Sequence, residues 1–248
     1  MKKILCFGNI TDKYKNAIEN AMRQNHDIVG YVSAMDSDDL PNTQDDFILM
    51  KCDIHSDDFL RRIIAINKKL TDGQKFYLTH CFVLFNKSGN RTPFILSDAA
   101  CVPMPDENQL THIIENAKDL FEDLFNKQPV ISLISAGGDT NIKISPLLHS
   151  WYNEHKKDFE KDTLRIEQLD VALDSFVRCE KHISGEIADV IIVDNINTGN
   201  AILKSLTVLS NDWYGIGFLI GAKNKVILNS RSASENSLTQ NILMACKD

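Results

Sequence analysis

The sequence predicts a three-layer α/β fold, with helices packed on a largely parallel sheet, and two observations predict it. Short apolar runs such as Ile4–Phe7, Phe47–Met50 and Val190–Val193 stop abruptly at Gly, Lys or Asp, as strands buried on both faces do. Between such runs lie stretches of helical spacing, the clearest being Leu110, Ile113, Ile114, Ala117, Leu120, Phe121 and Leu124. Strand and helix alternate along the chain, which is the pattern of right-handed crossovers. Ligands of open α/β sheets sit where the strands end, so the polar residues there are the ones to follow.

Composition sets the outer bounds. With 248 residues, 43% of them apolar, the chain can hold one large or two modest domains around a sizeable core. A net charge of -7 and the lack of a long basic block argue against nucleic acid or an anionic membrane as partner. No apolar run approaches the roughly 18 residues of a bilayer span, and Gly8 and Asn9 interrupt the N-terminal run too early for a signal peptide. Cys6, Cys52, Cys81, Cys101, Cys179 and Cys246 show no C-x-x-C spacing. They read as reduced, mostly buried thiols of a cytoplasmic protein, and no metal-ligand spacing is present.

The elements follow in order. Lys3–Phe7 is a strand, Gly8–Asp12 a turn, and 13–24 a helix whose Tyr14, Ile18, Ala21 and Met22 form an apolar face. A Gly-Asn turn before a helix can receive a phosphate on its amides, or can be a plain connection. Asp27–Val32 and Phe47–Met50 are strands around a polar loop, Asp36–Asp46. A helix begins near His55 or Ser56, with Asp57 and Asp58 in its first turn and Phe59, Leu60, Ile63 and Ile64 turned inward. Phe76–Phe85 and Pro93–Leu96 flank the hairpin chemistry of Lys87-Ser88-Gly89-Asn90, an antiparallel step that suggests a change of sub-domain. The long amphipathic helix opens at Asp106 or Glu107. Val130–Ser135 is a strand running into the polar loop Ala136–Asn141. His149–Lys161 reads as a helix, Leu164–Leu169 as a strand and Val171–Cys179 as a short helix.

The C-terminal run organises the rest. Val190–Val193 is a strand, and a polar turn ends at Thr198-Gly199-Asn200 before a helix over 201–209. Strands Gly217–Ile220 and Val226–Leu228 then lead into Asn229-Ser230-Arg231-Ser232. Asn200, Lys204, Ser230 and Arg231 therefore stand at strand ends or on the helix that follows, as candidates for a site.

Four stretches resemble the phosphate acetyltransferase and phosphate butyryltransferase family, its butyryl branch most. They are Leu49–Leu60, the pair Thr79–Phe85 with Phe94–Ala117, Ile134–Lys143, and the run from Gly185 to Ser237. The resemblance implies a two-domain fold like that of the isocitrate and isopropylmalate dehydrogenases, with a cleft between the domains. One domain would comprise residues 1–92 with 225–248 and the other 93–224. It also implies a homodimer, and acyl transfer between coenzyme A and inorganic phosphate with no permanently bound cofactor. The chain is short for such a protein, as if its N-terminal region were reduced.

On that resemblance, Arg231 is the phosphate ligand, since its planar fork donates two parallel hydrogen bonds. Ser230 donates to the carbonyl or phosphate oxygen. Asn200 and Lys204, four apart on one helix, face the substrate together. Asn141, Lys143, Lys51, His80 and Asp98 also fall on family positions. Asp98 has a second reading as the cap of the turn that follows it.

Some positions depart from the family. Ser237 stands where a catalytic carboxylate is expected, with Glu235 as the nearby carboxylate that can take its place. Only Lys68, Lys69 or Lys75 stands in for an arginine expected before Thr79-His80. These departures favour, as the alternative, a non-catalytic protein that binds acyl-CoA or phosphate.

Overall fold

The computed structural model describes residues 1–34, 46–137, 142–169, 172, 188–210, 212–231 and 233–247. The chain forms two compact units, one of Met1–Leu78 with Ile216–Asp248 and the other of Thr79–Gly215. Each carries β-strands with helices packed on them, so the mixed α/β character expected from the apolar runs is present in both.

In the first unit β1 (Lys2–Phe7) leads through α1 (Asp12–Gln24) to β2 (Ile28–Ser33). Then β3 (Asp46–Lys51) leads into α2 (Ser56–Leu70). The chain returns through β9 (Trp213–Ile220), of which Ile216–Ile220 lie in this unit, β10 (Val226–Ile227) and α6 (Glu235–Ala245). The strand order is β2-β1-β3-β10-β9, parallel except for β9 against β10. Because β1, β3 and β10 run the same way, the segments after Phe7, Lys51 and Ile227 emerge at one edge of the sheet. Helix α1 packs on α6, and α2 buries Phe59, Ile63 and Ile66. Ile64, expected inward, is 37% exposed, because the buried face turns through Ile66 and Asn67 instead.

The second unit contains β4 (Thr79–Asn86), β5 (Phe94–Ser97), α3 (Glu107–Phe125), β6 (Ile131–Ile134) and α4 (Pro146–His155). It continues with β7 (Leu164–Glu167), β8 (Val190–Ile192) and α5 (Ile196–Lys204). The order is β4-β5-β8-β6-β7, with only β4 and β5 antiparallel, which realises the predicted hairpin. Strands β5, β6 and β8 are buried throughout, which is why they read as unbroken apolar runs. Their core includes Phe94, Leu96, Ile191, Val193, Leu203 and Trp213. Helix α3 starts with a reciprocal capping box: Gln109 N donates to Asp106 Oδ1 at 2.8 Å, and Asp106 N to Gln109 Oε1 at 2.9 Å.

Three boundaries differ from expectation. The strand expected from Phe76 begins at Thr79, where burial becomes continuous after the half-buried residues 76–78. The helix expected over 149–161 begins at Pro146, whose missing N–H costs nothing at a first helical position, and gives way at Lys156 to a single tighter turn. The helix expected over 201–209 is Ile196–Lys204, followed by a wider turn over Ser205–Leu209. The Val171–Cys179 helix and most of the Asp36–Asp46 and Ala136–Asn141 loops fall outside the described residues. No helix among the described residues is long and apolar enough to cross a membrane.

Candidate active site

Two polar clusters form at strand ends, one in each unit. In the first unit the segments after β1, β3 and β10 are tied together. Asn9 and Asp53 exchange backbone hydrogen bonds at 3.3 and 3.2 Å, joining the β1–α1 turn to the β3–α2 turn. Gly8 makes this closeness possible: its φ is +93°, and a Cβ there would lie 2.7 Å from Ile54 Cβ and 2.8 Å from Asp53 O. Cys52 N donates to Phe7 O at 2.9 Å, so Lys51 sits at the last rung of β3. Beyond β10, the Asn229 side chain accepts from Gly217 N at 3.2 Å and fixes the start of the Ser230-Arg231 turn.

Lys51 is the unusual member. Its side chain is buried at 2% exposure, and its Nζ makes one long hydrogen bond, 3.5 Å, to the Cys52 carbonyl. Burial, and then the nearby Arg231 and Lys13 cations, lower its pKa from the usual lysine range, while Asp53 and Cys52 pull the other way. Among the described residues no carboxylate forms an ion pair with Lys51 or Arg231. A buried ammonium beside an exposed guanidinium is costly by itself, and an oxyanion would offset both charges.

Glu235, taken from sequence as a stand-in base, opens α6, and its two carboxylate oxygens accept from Asn16 and Asn20 of α1 at 3.1 and 3.0 Å. Ser237, where a carboxylate is expected, is buried in the first turn of α6, and its N–H donates to the capping Ser234 hydroxyl at 3.1 Å.

The second cluster centres on Asp98. Its Oδ1 accepts from Ala100 N and Cys101 N at 2.8 and 2.7 Å, and its Oδ2 from His80 N at 2.9 Å. The turn-capping reading of Asp98 thus holds, and the same carboxylate also anchors the start of β4. His80 is buried and meets Phe82 edge-on, with ring centroids 4.5 Å apart. Burial raises the Asp98 carboxyl to about 6 against the pull of those N–H groups.

Helix α5 comes close to this turn. A Cβ on Gly199 would lie 2.6 Å from the Asp98 carbonyl oxygen, so only glycine lets the helix approach. Asn195 caps α5 by accepting from Thr198 N at 3.0 Å, and its amide donates to Asp194 Oδ1 at 2.7 Å. Asn200 is exposed and Lys204 half-buried, one turn apart on α5. Lys143 is exposed in the turn before α4, while Asn141 lies outside the described residues.

The predicted site residues thus divide by unit. Lys51, Ser230, Arg231 and Glu235 belong to the first, and His80, Asp98, Lys143, Asn200 and Lys204 to the second. Sequence reasoning missed Lys13, whose Nζ donates to the Arg231 carbonyl at 2.8 Å, while Tyr14 is buried with Ala17, Ile18 and Ala21 on the apolar face expected for it. It also missed Asp194 and Asn195, although an Asn three residues before Thr198 is a helix-start signal.

The chain is similar to proteins of known activity. It is 24% identical over 194 residues to the phosphate acetyltransferase of Rhizobium meliloti, covering 75% of this chain and 60% of that one. It is 25% identical over 220 residues to the phosphate butyryltransferase of Clostridium acetobutylicum, covering 86% and 72%. The chain therefore spans between half and three quarters of the length of these relatives. In fold it is similar to a branched-chain phosphotransacylase from Enterococcus faecalis V583, with a TM-score of 0.77 at 23% identity over 100% of this chain and 98% of that one. Residues 48–246, which hold Lys51, Asp98, Asn200 and Arg231, match the phosphate acetyl/butaryl transferase family, and the chain belongs to it.

Proposed function

We propose that this protein transfers a short-chain acyl group, butyryl or similar, reversibly between coenzyme A and inorganic phosphate. The observation that carries the reading is the buried Lys51 ammonium at the end of β3, which feels the charge of Arg231, with no carboxylate paired to either among the described residues. Family membership and the names of the relatives support it. In the direction from acyl-CoA, a phosphate oxygen attacks the thioester carbonyl and the CoA thiolate leaves. Arg231 holds two phosphate oxygens through its fork. Lys51 lowers the cost of bringing the anion in, and Ser230 donates to the carbonyl oxygen as negative charge develops there. Asn200, Lys204, Lys143, Asn141, His80 and Asp98 form the remainder of the proposed substrate-binding set. CoA as a substrate, with no resident cofactor, a homodimer and a cytoplasmic location belong to the same proposal.

The test is release of free thiol from butyryl-CoA, propionyl-CoA or acetyl-CoA when phosphate is added. Arg231→Ala abolishes the phosphate-dependent rate while the melting curve stays cooperative. Wild-type rates in that variant would remove Arg231 from the site.

A second reading, an acyl-CoA- or phosphate-binding protein without turnover, is favoured by one observation: Glu235 is engaged by Asn16 and Asn20, and a serine occupies position 237. Thermal stabilisation by CoA or phosphate with no thiol release from any of the three esters would select it.

A further inference from the structure

We propose that the first turn of α1 completes the anion site: the Tyr14 hydroxyl donates to the phosphate beside Arg231 and Lys51, and Lys13 positions Arg231. This rests on the phosphate-binding part of the function proposed above. It assigns roles to residues that lie before position 48, where the family match begins.

Three observations converge on it. Lys13 Nζ donates to the Arg231 carbonyl at 2.8 Å, so the helix is fastened to the turn that presents the guanidinium. Tyr14 is the next residue and is buried at 3% exposure. The Lys13 ammonium that holds the Arg231 carbonyl lies 4.9 Å from the centre of the Tyr14 ring, which sets the ring beside the Arg231 turn; burial, and then Cys52 and Asp53, raise its phenol to about 12, while Arg231 draws it down. The third observation is the buried Lys51 ammonium, which feels Arg231 and Lys13 and among the described residues pairs with no carboxylate.

The chemistry of each group fits its place. Three cations already crowd this edge, so a further positive donor would add repulsion to the empty site. A phenol with a raised pKa stays protonated and adds a hydrogen bond without adding charge. The N-terminal end of α1 has the same sign of preference: Thr11 makes no side-chain cap, and the helix dipole favours an anion there. The helix is also held still. Asn16 and Asn20 bind Glu235, and Thr239 Oγ1 donates to Ala17 O at 3.2 Å, so α6 fixes α1. Since α6 begins four positions after Arg231, one short segment sets both the guanidinium and the helix that carries Tyr14.

The experiment is a thermal-shift titration with inorganic phosphate on wild type, Tyr14→Phe, Lys13→Met, Lys13→Arg and Arg231→Ala, with KM for phosphate and for the acyl-CoA ester measured alongside. Tyr14→Phe keeps the ring and loses one hydrogen bond to a charged ligand, so phosphate Kd and KM rise about tenfold. Its phosphate-free melting temperature and ester KM stay at wild-type values. Lys13→Met weakens phosphate binding and Lys13→Arg restores it. The Arg231→Ala control loses the phosphate response, showing that the titration reads this site. Wild-type phosphate affinity in Tyr14→Phe overturns the proposal, and so does a wild-type protein that binds no phosphate. If wild type binds phosphate yet releases no thiol, acyl transfer falls, and the titration alone decides the roles of Tyr14 and Lys13.

Discussion

The backbone N–H of His80 donates to Oδ2 of Asp98 at 2.9 Å, linking the first rungs of β4 to the turn after β5. With Ala100 and Cys101 bound to Oδ1, this carboxylate organises a whole turn while shut away from water at 2% exposure. Burial prevails over the hydrogen bonds, and the group titrates near 6 instead of 3.8.

A pH dependence follows from that shift. Between 3.8 and about 6 the folded chain holds a proton that the unfolded chain has released. The folded state binds more protons there, so stability falls as pH rises through the window, by at most about 3 kcal/mol for this group. Asp98→Asn cannot titrate. Urea unfolding of both proteins at a series of pH values should give a stability difference that changes across the window and is level on either side of it.

Gly199 supplies a steric prediction. Its φ lies outside the left-handed region, so alanine is not excluded by backbone conformation, and in a helix it would ordinarily be an improvement. The obstacle is the Asp98 carbonyl oxygen, 2.6 Å from where the Cβ would go, with Ala99 Cα at 3.0 Å. Both are backbone atoms and cannot rotate aside. Gly199→Ala should lower unfolding free energy by about 1–3 kcal/mol, as overpacking does. A stability at or above wild type would show that α5 can move away at no cost.

Much of this was legible in the chain, and the failures have physical causes. Central strands such as β5, β6 and β8 were readable because burial on both faces demands unbroken apolar runs. Asn-Thr-Gly-Asn at 197–200 was read as a turn because those residues favour turns, yet here Asn195 caps the helix and Gly199 serves a close approach. Tyr14 lies on the core face that its spacing with Ile18 and Ala21 predicts, and it is buried there. Spacing tells which face a residue occupies, but the groups waiting on that face, Arg231 and Cys52, arrive from distant parts of the chain. The same limit hid the Lys13 bond to Arg231, which spans 218 positions.

Lys51 should show opposite effects on stability and on binding. Its charge is disfavoured by burial and by Arg231, so Lys51→Met relieves both and should raise phosphate-free stability by about 1 kcal/mol. Because the folded pKa is lowered, the unfolded chain binds more protons as pH approaches the lysine range, and wild-type stability gains with rising pH there. The variant lacks that gain. It should also lose most of the stabilisation that phosphate gives wild type, since that term depends on affinity. Melting curves with and without phosphate test both statements, and a variant less stable than wild type without phosphate would contradict the first.

Glu235 decides between a fastener and a base. Its carboxylate accepts from Asn16 and Asn20, and through them α6 grips α1. Each oxygen accepts one amide hydrogen bond, which holds the carboxylate against α1 while leaving a second lone pair on each oxygen, so the two roles have to be separated by experiment. As a fastener, Glu235→Ala should lose about 1–2 kcal/mol of stability through the released amides. Its kcat for acyl transfer should stay within about threefold of wild type, whereas removing a base costs roughly 10²–10⁴. Glu235→Gln, which retains one acceptor oxygen, should recover part of the stability. A collapse of kcat in both variants at unchanged melting temperature would return Glu235 to the chemistry, whereas a stability loss with kcat preserved leaves the base to be found elsewhere.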